Sequence, residues 1–170
     1  MPRYARRSAR VLVIDSADRV LLLRLASRSQ QEHAWYTPGG GVKWWERLQS
    51  AAARELHEEV GLAVRPRELR AVAFTSGHAE LPFAKGLFRD DFFVHRVDRH
   101  EVDTSRHTAF ERRTYTGFRW WLAGELATTD ETVYPFRLAD LLTDLVAGRE
   151  TGLVSAGGAG LVELPWHHAS

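Results

Sequence analysis

Between Pro38 and Leu62 the chain places a proline, three consecutive glycines, a stretch from 42 to 60 free of both residue types, and then Gly61. That order forces a loop, allows one helix behind it and stops the helix at a glycine. The stretch is rich in Ala, Leu, Arg and Glu, all strong helix formers, and predicts a helix from about residue 47 to 60. Ala52, Leu56 and Val60 recur every four residues as its core-facing stripe. Glu55, Glu58 and Glu59, at i, i+3 and i+4, fall within roughly one quarter of the circumference at ~100° per residue. Each like-charged pair at that spacing costs on the order of 0.2–0.5 kcal/mol. The cluster therefore calls for a counter-charge, which a hard divalent cation supplies through oxygen ligands, Mg2+ first and Mn2+ second. The plain alternative is a solvated acidic face neutralised by Arg47 and Arg54.

Length and composition set the frame for that helix. The chain has 170 residues, 44% apolar and 26% charged, which suits one globular domain. Its 23 basic and 22 acidic residues leave a net charge of +1, so no nucleic-acid-binding field is implied and nucleic acid is not an expected partner. The absence of cysteine excludes disulfides, thiolate catalysis and zinc–thiolate sites, and fits a cytoplasmic location. No apolar run reaches the 18 residues of a membrane span. Arg3, Arg6, Arg7 and Arg10 lack the apolar stretch of a secretory signal, so residues 1–9 read as a flexible basic leader.

Residues 10–15 and 19–24 are short apolar runs separated by Ser16, Ala17 and Asp18, the pattern of a hairpin. Residues 26–32 are turn-like, and Trp35, Tyr36 and Thr37 read as a strand leading into a loop at 38–41. Residues 71–75 and 87–97 read as strands, joined by a loop at 78–86 that holds Pro82 and Gly86. A further strand is expected over 114–122. The charged segment 98–113 has no legible structure and is a natural place for substrate contacts. Leu138, Leu141, Leu142, Leu145 and Val146 predict an amphipathic helix. The glycine- and alanine-rich tail, 149–170, reads as loose unless residues 161–164 pair as an edge strand.

Gly40, Glu46, Arg54, Glu55, Leu56, Glu58, Glu59, Gly61 and Leu62 together spell G-x5-E-x7-R-E-L-x-E-E-x-G-L. With each residue type at roughly 5–10% of positions, a chance match of all nine is far below about one in a million. The 23-residue pattern resembles the Nudix hydrolase box at every position. The resemblance implies an α/β (α+β) fold, an α/β/α sandwich around a mixed β-sheet, spanning residues 8–148. It implies metal-dependent hydrolysis of a nucleoside diphosphate linked to another group, a small-molecule substrate, with Mg2+ or Mn2+ as cofactor. It also implies a backbone carbonyl at the glycine turn, assigned to Gly39, as a further ligand beside Glu55, Glu58 and Glu59. Glycine suits that role because it lets the main chain approach a ligand closely.

Arg54, always charged and fork-shaped, orients a glutamate through paired hydrogen bonds, or forms a plain helix-surface pair with Glu58. Glu46 opposes the positive helix end or reaches the metal. The base that takes the proton of the attacking water is Glu58 or Glu55, or a downstream carboxylate among Glu101, Glu111, Asp90 and Asp91. Just before Glu46 the chain departs from common family members with Lys43, Trp44 and Trp45. Lys43 is a candidate for a phosphate, and the tryptophans either stack on a substrate ring or serve as core and rim. Trp120 and Trp121 resemble the last strand of bacterial family members and read as structural. The eight histidines show no metal spacing and receive no catalytic role; His167 and His168 have only a weak claim to metal. A catalytically silent nucleotide sensor on the same fold is the alternative function, and the intact carboxylates argue against it. An isoprenoid diphosphate isomerase would need a cysteine-based acid that is lacking. A homodimer stays open.

Overall fold

The apolar runs at 10–15 and 19–24 are continuous rather than alternating because their strands are covered on both faces. In the computed structural model, which describes residues 3–27, 31–148 and 160–167, they form β1 (Arg6–Ile14) and β2 (Val20–Ala26). On one face Ala9, Val11 and Val13 of β1 and Leu21 and Leu23 of β2 pack with Ala52, Leu56 and Val60 of α1 (Leu48–Val60). On the other, Leu12, Ile14, Val20 and Leu22 pack with Leu138, Leu141 and Leu142 of α4 (Leu138–Val146) and with Trp121. The short α3 (Ala123–Thr128) lies on this second side through Ala123 and Leu126. The result is the expected helix–sheet–helix sandwich.

The remaining strands are β3 (His33–Tyr36), β4 (Gly39–Gly41), β5 (Arg70–Leu81), β6 (Ala84–Arg96), β7 (Tyr115–Trp121), β8 (Val133–Tyr134) and β9 (Val162–Glu163). They run in the order β8-β3-β2-β1-β6-β5-β9, with β4 also on β1 and β7 also on β2. The sheet is mixed: β1 runs parallel to β6 from Arg6↔Phe88 to Ile14↔Arg96, and antiparallel to β2 at Ile14↔Val20. Beyond that pair β2 turns to β3 and β7, and β4 takes its place on β1 through Ser8↔Gly41, Ala9↔Gly40 and Arg10↔Gly39. The sheet thus splits where the glycines enter.

Three local readings change. The glycine run at 38–41 is not a free loop but a strand inside this split. Side chains are excluded at two of the three: a Cβ on Gly39, whose φ is +145°, would lie 2.3 Å from Ala9 O, and one on Gly40 would lie 2.7 Å from the Glu55 carboxyl. The predicted loop at 78–86 is paired throughout, from His78↔Leu87 to Leu81↔Ala84, leaving Pro82 and Phe83 as the turn. The alternation of His78, Ala79, Glu80 and Leu81 is short and interrupted by Pro82, and the proline, sitting in the turn, removes no ladder hydrogen bond. Within the illegible segment, α2 (Ala109–Thr114) is fixed by a capping box: Thr108 Oγ1 accepts the Glu111 N–H, and Glu111 accepts the Thr108 N–H.

β1 begins at Arg6, inside the stretch that read as a leader. Arg7 and Arg89 reach Asp91, buried on the neighbouring strand, at 2.7 and 2.9 Å. At the other end, β9 pairs parallel to β5 at Ala73↔Val162, with Val162 and Leu164 buried. The glycine-rich part of the tail, 151–159, and His168 lie outside the described residues. Among the described residues no helix is long and apolar enough to cross a membrane.

Candidate active site

The acidic helix is held at both ends. Gly61 takes the left-handed conformation (φ 71°), its N–H bonding to His57 O and that of Leu62 to Leu56 O, which closes the helix. The last carbonyls are met from the segment 98–108. His107 Nε2 lies 2.7 Å from Glu59 O and His100 Nε2 lies 2.7 Å from Val60 O. Carbonyls only accept, so each ring carries its proton on Nε2. These histidines hold the helix rather than take part in chemistry. Their spacing in the sequence carried no signal because their partners are main-chain atoms some 40 residues away.

Along the helix Arg54 joins the acidic residues. Its Nε and Nη2 grip the two oxygens of Glu46 at 2.7 and 3.0 Å, and Nη1 donates to Glu55 at 2.7 Å and Glu58 at 3.1 Å. Nη2 also donates to Gly41 O at 3.1 Å, which ties the helix to the glycine strand. Glu46 is therefore the clamp on Arg54, with Lys43 N–H as a further donor. Those arginine bonds above all hold its carboxyl down at about 2.

The three helix carboxylates differ in environment. Glu55 is buried, and burial raises its pKa against the pull of Arg54, with Glu58 and Glu111 adding repulsion. A Cβ on Gly40 would lie 2.7 Å from the Glu55 carboxyl, so that carboxyl faces main chain that only glycine leaves open. Glu59 is partly exposed as a residue, but its carboxyl is the enclosed end. Burial pushes it up to about 8, opposed by the Gly39 N–H at 2.6 Å and by the charge of Arg10, with Glu55 and Glu111 adding repulsion. Glu58 is the most open of the three, its side chain 44% exposed. Arg54 engages Glu55 and Glu58 while Gly39 engages Glu59. Among the described residues no three acidic or histidine side chains converge on one point.

Of the other candidate bases, Asp91 is locked between Arg7 and Arg89, and Asp90 lies 3.8 Å from Arg10. Glu101 is exposed, and Glu111 caps α2 while its charge bears on Glu55 and Glu59. Trp44 and Trp45 are not core and rim: they are 92% and 64% exposed, edge to face at 5.3 Å, with Lys43 Nζ 5.8 Å from the Trp45 ring centre. Trp121 is buried edge-on against Trp35 at 5.2 Å, a structural role.

A family model for the NUDIX domain matches residues 5–141. An RNA pyrophosphohydrolase of Roseobacter denitrificans is 32% identical over 121 residues, which are 65% of this chain and 71% of that protein. An RNA pyrophosphohydrolase of Shewanella piezotolerans is 40% identical over 60 residues, 35% of this chain and 34% of that one. Among solved structures, the E. coli dihydroneopterin triphosphate pyrophosphohydrolase is similar with a TM-score of 0.59 at 17% identity, covering 86% of this chain and 99% of that chain. A MutT protein from Methanosarcina mazei Go1 has a TM-score of 0.59 at 20% identity, covering 87% and 97%. At those identities the two structures speak for the fold alone.

Proposed function

The chain belongs to the NUDIX domain family, and from that premise we propose that it hydrolyses the diphosphate linkage of a nucleoside diphosphate derivative at the acidic edge of α1. The observation that carries this reading is the sharing of one arginine among Glu46, Glu55 and Glu58, with a fourth carboxylate, Glu59, enclosed beside them. Arg54 is a single guanidinium bonded to Glu46, Glu55 and Glu58, while Arg6 bears on Glu55 and Arg10 on Glu59 only through space, so three carboxylates share one direct partner.

The donors fit a hard divalent ion: all are oxygens, and the missing side chain of Gly40 lets the main chain lie close against the Glu55 carboxyl. Glu55, Glu58 and Glu59 would hold it with the Gly39 carbonyl, Mg2+ being the first choice and Mn2+ the second. When bound, such an ion neutralises charge developing on the phosphate oxygens and lowers the pKa of an attacking water. Arg54 orients Glu55 and Glu58 while Glu46 fixes its fork. Glu58, the most accessible carboxylate of the three, accepts the proton of the water as it attacks phosphorus. Glu111, occupied with its helix cap, adds negative field instead.

The name carried by the relatives brings RNA in as a second reading of the substrate, against the net-charge argument that set nucleic acid aside. The exposed pair Trp44 and Trp45, with Lys43 beside them, supports it: aromatic faces stack on bases of any sequence and lysine meets phosphate. A panel of nucleoside diphosphate derivatives and 5′-triphosphorylated RNA, assayed with Mg2+ and Mn2+ and with products identified by mass, tests both. Metal-dependent release of phosphate, pyrophosphate or nucleotide is expected from at least one substrate. Binding without release by any would sink the hydrolase reading.

A further inference from the structure

Most arginines near the glycine strand are engaged. Arg54 holds Glu46, Glu55 and Glu58, Arg7 and Arg89 hold Asp91, and Arg10 donates to Thr37 O at 3.1 Å beside Asp90. The guanidinium of Arg6 differs, for among the described residues it has no hydrogen bond and no ion pair. Its neighbour is a ring: the guanidinium carbon lies over Phe83, 5.1 Å from the ring centre. On the side of the site, a Cβ on Gly41 would lie 3.5 Å from Arg6 Nη2, and the Gly41 carbonyl accepts from Arg54 Nη2. Gly40, next on the same strand, abuts the Glu55 carboxyl. Burial and the charge of Arg10 depress the Arg6 pKa, while Asp90 and Glu55 pull it up. Two like charges thus stand close together beside the acidic edge, and one of them has no bonded anion. Phe83 is equally unusual: it is 56% exposed in the turn of the β5–β6 hairpin and belongs to neither core. The hairpin is tied to the start of β1, with the Ala5 N–H bonded to Leu87 O at 2.7 Å and Arg6 paired with Phe88. That tie sets the ring against the arginine.

Resting on the diphosphate chemistry above, we propose that Arg6 binds a phosphate of the substrate and that Phe83, at the hairpin tip, is the residue that positions it. A guanidinium is planar and offers its N–H groups along its edge, in a fork that matches two phosphate oxygens. A ring against its face fixes that plane and leaves every donor free, whereas a carboxylate partner would occupy the donors the phosphate needs. Arg6 then meets the phosphate from the glycine strand, and Arg54 stays with the helix carboxylates. The other cation of the hairpin tip, Lys85, is held by Glu80 at 2.6 Å and is not such a donor.

The test is equilibrium binding of inorganic pyrophosphate in the presence of Mg2+ to the full chain and to Arg6→Gln, Phe83→Leu, Phe83→Tyr, the double variant of Arg6→Gln with Phe83→Leu, and Lys85→Gln as a control. Thermal melts establish that each variant is folded. Phe83 lies exposed in a turn and outside the core, so its variants keep the question answerable if Arg6→Gln does not fold. We expect Arg6→Gln to bind pyrophosphate about ten- to a hundredfold more weakly, the scale of a lost hydrogen bond to a charged group. Phe83→Leu should lose about two- to fivefold, the scale of an exposed cation–π contact. Phe83→Tyr keeps the ring and should match wild type, as should Lys85→Gln, and the double variant should bind no more weakly than Arg6→Gln. Absent binding by wild type, unchanged binding by folded Arg6→Gln, or an equal loss in Lys85→Gln would overturn the phosphate role of Arg6. Unchanged binding by Phe83→Leu, an equal loss in Phe83→Tyr, or a further loss in the double variant would overturn the positioning role of Phe83. Failure of the hydrolysis reading shows separately, as absent turnover of the nucleotide and RNA panel by wild type while Arg6-dependent binding of pyrophosphate persists.

Discussion

Arg54 is the residue on which the geometry of the acidic edge rests, and its substitution separates shape from charge. Arg54→Ala leaves the buried Glu55 without a counter-ion and frees Glu46, for an expected loss of roughly 1–3 kcal/mol in unfolding free energy. As a residue that positions ligands, it should cost about 10–100-fold in kcat/KM. Arg54→Lys keeps the charge but cannot reach Glu46, Glu55 and Glu58 at once, so its activity should stay near that of Arg54→Ala. Recovery in the lysine variant would show that charge alone is needed there. Glu58→Gln, at an open position, and Glu59→Gln, where a neutral amide suits the enclosed end better than a charge, should leave the fold intact while turnover falls by orders of magnitude. Wild-type turnover in either variant would remove these residues from the proposed machinery.

At the level of elements, α1 depends on what seals its C-terminus. Replacing His107 with Ala exposes the Glu59 carbonyl and removes the pin between α1 and the segment ahead of α2. A lower melting temperature with reduced turnover is expected, and an unchanged melt would show that the contact contributes nothing. The turn between β1 and β2 carries its own pH signature. Burial raises the Asp15 carboxyl, but bonds from the Arg19 side chain and from the Arg19 and Ala17 amides outweigh it, so its pKa lies below the usual 3.8. The stability it contributes is complete above 3.8 and is lost as pH falls through the lower folded value. The melting temperature of Asp15→Asn should accordingly vary less with pH in that acid range than that of wild type. Elements with a strong local signal were legible: α1 from its glycine stop and four-residue stripe, β1 and β2 from their apolar runs, α4 from its leucines. The distal half of the β5–β6 hairpin was not, because Pro82 and Gly86 outweighed the short alternation of His78, Ala79, Glu80 and Leu81, nor was β4, because three glycines in sequence look the same whether paired or free.

At the scale of the whole molecule, the split between β1 and β2 is what makes the site. It admits β4, whose lack of side chains lets the main chain touch Glu55 and Glu59, and it sets Arg10 opposite Gly39 beside the acidic helix. The acidic pattern could be read from the sequence because it is local to one loop and helix. The gathering of Tyr36, Asp90, Tyr134 and His167 around one small cleft could not, because they come from four separated parts of the chain. The same distance hid the pairing of Arg7 with Asp91, in which a basic residue near the N-terminus belongs to a strand. The central claim is that Glu55, Glu58 and Glu59 together hold a divalent ion. Mn2+ binding followed by electron paramagnetic resonance tests it most directly, in wild type, in Glu59→Gln and in Glu101→Gln as an exposed-carboxylate control. Wild type and Glu101→Gln should bind the ion, and Glu59→Gln should bind it at least about tenfold more weakly, the usual minimum for disturbing a metal site. Equal Mn2+ affinity in all three proteins would contradict it.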